Sequence, residues 1–189
     1  ASLGIGGNAT LILSGTTNIT GGAVSVTSGA GVSDASSGTG AGGAATLTFT
    51  GNVTSNSTLA IVGGATAATA AATVNVAGDA TFTTITLNEV AAISDANLVI
   101  NGTGTQTIDA LIDGAANGEG VINITNTGGT VTFSKAVGAT YDVGSLLIGG
   151  ADTTSATVIF NGAVTFAAAT NLGNGIVVIG QTEGSSADV

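Results

Sequence analysis

The chain has 189 residues, of which eleven are acidic, one is basic and none is His or Cys, giving a net charge of −10 at pH 7. With Lys135 as its single base, it lacks the Lys and Arg clusters that bind nucleic-acid phosphates, and the lack of Cys excludes disulfides and thiolate metal sites. Its 43% of hydrophobic residues, 32 glycines and absence of Pro suit an aliphatic core within paired strands.

Six runs of alternating apolar and polar residues mark the first predicted strand of each repeat. In the run that opens at Thr73, Val74 and Val76 occupy alternate positions and face the same side, which is the period of a half-buried β-strand. The runs open at Thr10, Thr46, Thr73, Asn97, Val121 and Thr157, spaced by 36, 27, 24, 24 and 36 residues. The other predicted inward pairs are Leu11/Leu13, Leu47/Phe49, Leu98/Ile100, Ile122/Ile124 and Val158/Phe160.

A second and a third short run follow each first run. The predicted inward residues of the second strands are Ile19, Val53, Phe82, Ile108, Phe133 and Phe166, and those of the third strands are Val24/Val26, Leu59/Ile61, Leu87, Leu111, Leu146/Ile148 and Val177/Ile179. Repetition with a period of roughly 20–50 residues is typical of solenoids, in which each unit buries its apolar edge against its neighbours. The sequence therefore predicts an all-β fold, a parallel β-helix (β-solenoid) of about six coils with three strands each, as a single segment over residues 1–189.

An immunoglobulin-like β-sandwich is the alternative fold. Short strands at intervals of about 8–12 residues are also typical of such sandwiches. However, the alternation stays in phase over the six runs, and the chain has neither a Trp for a sandwich core nor a Pro for its edge strands. These features favour the solenoid.

Both ends of the chain look like pieces of the repeat. Leu3–Gly7 resembles Leu146–Gly150, a predicted third strand, and Gly180–Val189 has the length and character of Gly149–Val158. Solenoids commonly end in polar capping units, which neither end resembles. We therefore expect the chain to be part of a longer array, or to stack on identical chains as a homo-oligomer or filament.

The densest acidic stretch provides the candidate metal ligands. Asp109, Asp113, Asn117 and Glu119 place oxygen atoms along a Gly-bearing segment, and calcium prefers several oxygen ligands on such a loop. The spacing does not match an EF-hand or a nonapeptide calcium repeat, and a polar corner loop with Asp-Gly and Asn-Gly turns accounts for the same residues. The sequence therefore leaves two interpretations open: a calcium site at these four residues, or a corner loop without a cofactor.

Catalysis is disfavoured by the residue types that the chain lacks. No His or Cys is present to serve as a base or nucleophile, so the many hydroxyl groups have no partner to activate them. Lys135 is a lone amine, and the acids are scattered rather than paired as glycosidic cleavage requires. We expect a protein that is not an enzyme and has no catalytic residues.

The repeats resemble those of bacterial surface proteins. The likeness is carried by Ala45–Thr54 (ATLTFTGNVT), Gly129–Gly138 (GTVTFSKAVG) and Ala156–Phe166 (ATVIFNGAVTF). These segments resemble, in their residue pattern, the repeats of autotransporter passengers, giant repetitive adhesins and S-layer proteins. The resemblance implies a parallel β-helix, export to the cell surface, and a mechanical or adhesive role.

Two functions follow as expectations. The first is an extracellular structural protein whose stacked coils form a stiff rod, surface layer or filament. The alternative is an adhesin that binds a glycan or host protein through corner loops at Ser28–Ala45, Gly64–Ala72 and Gly180–Val189, with Tyr141 available to stack on a sugar. No strongly apolar run reaches the roughly 18 residues of a transmembrane helix, so we expect no membrane span.

Overall fold

The computed structural model describes residues 8–29, 33–34, 38–39, 43–64, 71–90, 95–149, 156–168, 171 and 175–180. All regular secondary structure in these residues is β, in strands numbered in chain order. The strands are β1 (Ala9–Leu13), β2 (Thr17–Ile19), β3 (Val24–Thr27), β4 (Ser33–Asp34), β5 (Gly38–Thr39), β6 (Ala45–Phe49), β7 (Val53–Ser55), β8 (Thr58–Gly63), β9 (Ala72–Val76), β10 (Ala80–Glu89), β11 (Ala96–Ile100), β12 (Gln106–Gly114), β13 (Glu119–Ile124), β14 (Thr130–Phe133), β15 (Val143–Ile148), β16 (Thr157–Phe160) and β17 (Ile176–Ile179). Within the described ranges we find no helix that could cross a membrane.

Six of these strands form the first wall of a solenoid. The sheet has the order β1-β6-β9-β11-β13-β15, and each pairing in it is parallel. Thr46 pairs with Thr73 and Asn97 with Val121, so the predicted openings of neighbouring runs lie side by side. Parallel neighbours need a long crossover between them, and here the crossover is the rest of a coil. The predicted fold class, a parallel β-solenoid, is confirmed.

A second wall bends into a third. The path β2-β7-β10-β12-β14-β16-β17 is parallel throughout, while β3 pairs with β8 and β8 pairs with the second half of β10. The register between β10 and β12 shifts between Thr81 and Thr84, where the pairing of β10 also passes from β7 to β8. The predicted second and third strands are therefore separate in β7 and β8 but continuous through the corner in β10 and β12.

The prediction for the sixth run is wrong. The strand beside β13 in the first wall is β15, which was predicted as a third strand, and Val121 pairs there with Ser145. The run at Thr157 forms β16, which lies on β14 in the second wall and places Phe160 beside Phe133. Strands of both walls share the same two-residue alternation, so the pattern alone does not tell one wall from another.

The core is a continuous apolar column inside the coils. The predicted inward residues of β6, β9, β11 and β13 are all buried: Leu47, Phe49, Val74, Val76, Leu98, Ile100, Ile122 and Ile124. The rings of Phe133 and Phe160 stack with their centroids 4.9 Å apart and their planes 10° apart. At the third wall, Ile112 takes the buried position predicted for Leu111, which is only half-buried.

The immunoglobulin-like alternative does not describe this chain. Among the described residues, the one antiparallel pairing joins β4 to β5 inside the predicted corner loop Ser28–Ala45. The predicted end repeat Leu3–Gly7 lies outside the described residues, as do residues 65–70 and 181–189 of the other two predicted loops.

Candidate functional site

A ladder of buried amide groups joins successive coils at the corner after the first wall. Gln106, at the start of β12, is 2% exposed, and its Nε2 donates to the carbonyl oxygens of Val76 at 3.1 Å and Gly78 at 2.9 Å in the preceding coil. Its Oε1 accepts the N–H of Gly102 at 2.9 Å. One side chain thereby binds the backbone of two coils at a corner, where the strand pairing is interrupted.

Asn126 extends this amide ladder into the next coil. It is 1% exposed, and its Nδ2 donates to Gln106 Oε1 and to the carbonyl oxygen of Gly104, both at 2.7 Å. Its Oδ1 accepts the N–H groups of Gly128 at 3.1 Å and Gly129 at 3.0 Å. In the part of the chain that the structure describes, no buried side-chain nitrogen or oxygen lacks a hydrogen-bond partner. The corner therefore avoids the cost of unsatisfied buried groups, about 1–3 kcal/mol each.

Sequence reasoning missed the amide ladder, although a signal for it is present. Gln106 lies two residues before Ile108, and Asn126 lies two residues after Ile124, so both continue an inward-facing phase. A polar side chain in that phase must find partners inside the coil, because burying an unpaired amide is costly. The phase of the alternation alone points to these two residues.

A second, more exposed ladder follows the same corner. Asn52 Oδ1 accepts the N–H of Asp79 at 2.9 Å, and Asp79 Oδ1 accepts the N–H of Thr107 at 2.8 Å. Each side chain reaches the coil that follows its own. Together with the amide ladder, these bonds hold neighbouring corners in register.

Two of the four predicted calcium ligands hold a neighbouring corner in place. Asp113 is 7% exposed, and its Oδ1 accepts the N–H of Thr140 at 3.0 Å. Asn117 Oδ1 accepts the N–H of Asp142 at 3.1 Å. These two side chains therefore fasten segment 138–142 to the end of β12 and to the turn that follows it.

The other two predicted ligands have partners of their own. Asp109 Oδ1 lies 3.2 Å from Lys135 Nζ in an ion pair on the surface. Glu119 Oε2 accepts the N–H of Ala116 at 3.2 Å and that of Glu89 at 3.4 Å. Within the described residues, no three acidic side chains are placed together so that they could hold a metal ion. Calcium binding by Asp109, Asp113, Asn117 and Glu119 stays a prediction.

Glu89, at the end of β10, is hydrogen-bonded to Glu119 and Gly120 at the start of β13. Gly120 donates its N–H to Glu89 Oε1 at 3.0 Å, while Glu89 donates its own N–H to Glu119 Oε2. Burial raises the pKa of Glu89 above its ordinary value, and the negative charges of Asp95 and Glu119 raise it further, against the opposing effect of the hydrogen bond from Gly120. This corner therefore favours the protonated form of Glu89 more than water does.

The corner that Asp113 and Asn117 hold presents an aromatic side chain to solvent. Tyr141 is 45% exposed. Its carbonyl oxygen accepts the N–H of Gly114 at 3.3 Å, and the next carbonyl, that of Asp142, accepts the N–H of Gly118 at 2.9 Å. Because these two carbonyl groups are hydrogen-bonded, the backbone that carries the ring is held in place.

Comparison with known proteins identifies neither a family nor a function for this chain. No family model, no curated protein and no solved structure matches this chain. The parallel stack, its hydrogen-bonded corners and the exposed Tyr141 are the features from which a function can be argued.

Proposed function

We propose that this chain is a structural, non-enzymatic segment of an extracellular or cell-surface protein, in which stacked β-solenoid coils form a stiff rod, surface layer or filament. The observation that carries the proposal is the continuous parallel pairing of two walls, from β1 to β15 in one and from β2 to β17 in the other. Since nearly every element contributes to pairing or packing along one axis, a mechanical role fits the architecture best.

Stiffness follows from the way in which the coils are joined. Neighbouring parallel strands lie about 4.8 Å apart, with their backbone hydrogen bonds directed along the stack. One row of paired residues runs the full length of the second wall: Thr17, Val53, Ala80, Ile108, Phe133, Phe160 and Ile179. Bending the stack would open both the hydrogen bonds and the apolar column on one side, which opposes bending.

The corners support the same conclusion. A corner is the weakest part of a coil, because strand pairing stops there. At the corner after the first wall, Gln106, Asn126, Asn52 and Asp79 replace strand pairing with side-chain bonds to neighbouring coils. Pulling the coils apart would have to break these bonds as well as the backbone ladder.

Surface composition supports placement outside the cell. Lys135 is the single Lys or Arg, so proteases that cleave after basic residues have almost no site in the chain. A net charge of −10 favours solubility and opposes side-by-side clumping of neighbouring segments. The resemblance to bacterial surface repeats points to the same location.

Single-molecule force spectroscopy tests the structural role. With the chain held between two handle domains, we expect coils to leave the stack in successive events of 24 residues in the central coils, or about 80 Å of contour length each. The force peaks should recur, because each event breaks the same kind of strand pairing. Extension without force peaks would contradict a mechanical role.

Adhesion is the second candidate, favoured by the exposure of Tyr141. A tyrosine ring can stack on a sugar while its hydroxyl bonds to a polar group, and the fixed corner lowers the entropy lost on binding. A glycan array is the direct assay. Binding that Tyr141→Ala abolishes and Val90→Ala, at another exposed apolar side chain, leaves intact would support adhesion. A wild-type chain that binds no glycan would remove this candidate.

A further inference from the structure

We propose that a second copy of this chain stacks on the first, with β17 of one copy pairing in parallel with β2 of the next, so that copies assemble head to tail. The inference rests on the structural role proposed above and identifies the partner as the chain itself.

Exposed apolar side chains are concentrated at the two ends of the stack. Among the described residues, seven large hydrophobic side chains are exposed, and five of them lie on β1 or β17: Leu11, Ile12, Ile176, Val178 and Ile179. Leu11 is 56% exposed and Ile179 is 49% exposed, although each pairs with a buried residue in the neighbouring strand. The apolar column thus reaches solvent at Leu11 and Ile179, whereas Ile12, Ile176 and Val178 pair with half-buried residues on the outer face of the walls.

In the described part of the chain, the terminal strands pair on one side only. Within the described residues, β1 pairs on one side with β6, β2 with β7, and β17 with β16. An edge strand presents unpaired N–H and C=O groups that another strand can bind. Because all three pairings are parallel, a further parallel strand placed on either edge would continue the existing wall.

The first coil contains a recess suited to such a partner. A cleft of about 300 Å³ lies between β1 and β3 above β6. Its apolar lining comes from Ala9, Leu11, Val24, Val26, Ala45 and Leu47. The last coil of another copy, with Ile179 exposed on β17, presents side chains of the kind that already fill the column between coils.

Charge permits contact at the ends and opposes it at the sides. Residues 8–29 and 156–180 contain no charged side chain. Seven of the eleven acids, from Asp79 to Asp142, belong to the middle coils and repel the same region of a neighbouring copy, whereas Asp34, Asp152, Glu183 and Asp188 lie outside that range. The terminal strands β1, β2 and β17 carry no charged side chain, so their pairing does not bring like charges on these strands together.

The polarity of the stack fixes the type of assembly. Among the described strands, β2 and β17 lie at opposite ends of one wall, and the outer edge of β2 is a different surface from the outer edge of β17. Contact between unlike surfaces is heterologous, and when it does not close into a ring it produces an open filament. The expected product is therefore a chain of copies rather than a two-fold dimer.

Sedimentation velocity with two blocking variants tests this inference. Leu11→Asp blocks the first end, Ile179→Asp blocks the last end, and Val90→Asp changes an equally exposed side chain away from both ends. We expect wild type and Val90→Asp to form species that grow with concentration, and each blocking variant alone to stay monomeric. Mixed in equal amounts, the two blocking variants should form a dimer, because each retains the end that the other lacks.

This mixture also shows that both variants are folded. The inference is overturned if the wild-type chain is monomeric at all concentrations, if either blocking variant assembles as wild type does, or if the mixture yields no dimer. A monomeric wild type that still releases coils in successive force events would leave the structural role standing and remove head-to-tail assembly alone.

Discussion

Replacing Gln106 with Ala should destabilise the solenoid far more than its position near a surface corner suggests. The substitution removes four hydrogen bonds, two donated by Nε2 and two accepted by Oε1. At about 1 kcal/mol for each bond, the loss is about 4 kcal/mol. For a chain of this size we expect the melting temperature to fall by about 8–16 °C, measured by circular dichroism at the β-sheet band.

The neighbouring residue provides the control. Thr107 follows Gln106 on the same strand but is half-buried, and its backbone N–H rather than its side chain donates to Asp79. Thr107→Ala should change the unfolding free energy by about 0.5 kcal/mol or less. In a double-mutant cycle, Gln106→Ala and Asn126→Ala should be coupled by about 0.5–3 kcal/mol, because the two amides are bonded to each other. If Gln106→Ala costs no more than Thr107→Ala, the buried amide ladder is refuted.

Three further predictions concern the third wall and its corners. The pKa of Glu89 is raised above 4.5, so the stabilising contribution of this residue is complete below pH 4.5 and is lost as the pH rises through the raised pKa. In thermal melts, Glu89→Gln should therefore be more stable than wild type at pH 7 but not at pH 3.5. Equal differences at both pH values would refute this. Gly120 (φ +82°) has no room for a Cβ because Leu87 fills that space, whereas Gly15 (φ +76°) faces open space. In urea titrations, Gly15→Ala should cost about 1–2 kcal/mol for its backbone conformation and Gly120→Ala a further 1–3 kcal/mol for overpacking, so equal costs would argue against the close approach. Since each predicted calcium ligand already binds another group, melting curves with calcium and with a chelator should coincide. Stabilisation by calcium would instead support the predicted calcium site.

The strands and their inward faces were largely predictable from the sequence. A two-residue alternation specifies which side chains turn inward, because a slip by one residue would expose every apolar side chain of a strand. This reasoning placed Val74, Val76, Leu98 and Ile100 in the core. It could not assign a strand to its wall, because β15 and β16 carry the same alternation.

A stricter use of spacing would have corrected that error. Val121 follows Asn97 by 24 residues, and a further step of 24 residues leads to Ser145, its partner in the structure, rather than to Thr157. The predicted last interval of 36 residues skipped one strand of the first wall. Repeat length was the better guide here than the likeness of one run to another.

The side-chain contacts at the corners were not predictable from local pattern. The sequence predicts Asp113 and Asn117 either as calcium ligands or as turn residues. In the structure their side-chain oxygens accept hydrogen bonds from the backbone of a corner about 25 residues later. Such contacts depend on how loops of different coils are juxtaposed, which the alternation of single strands does not specify. The exposure of Tyr141 depends on that same juxtaposition.

Pulsed electron–electron double resonance, which measures the distance between two nitroxide labels, tests the stacking of coils most directly. The chain has no Cys, so labels attached to introduced cysteines are unambiguous. One label at position 10 and the other at position 97, 121 or 145 spans three, four or five steps of the first wall. At about 4.8 Å per step, the Cα separations should be about 14, 19 and 24 Å. An even increase along this series is the expected result, and separations that fail to grow with each 24-residue step would contradict the solenoid.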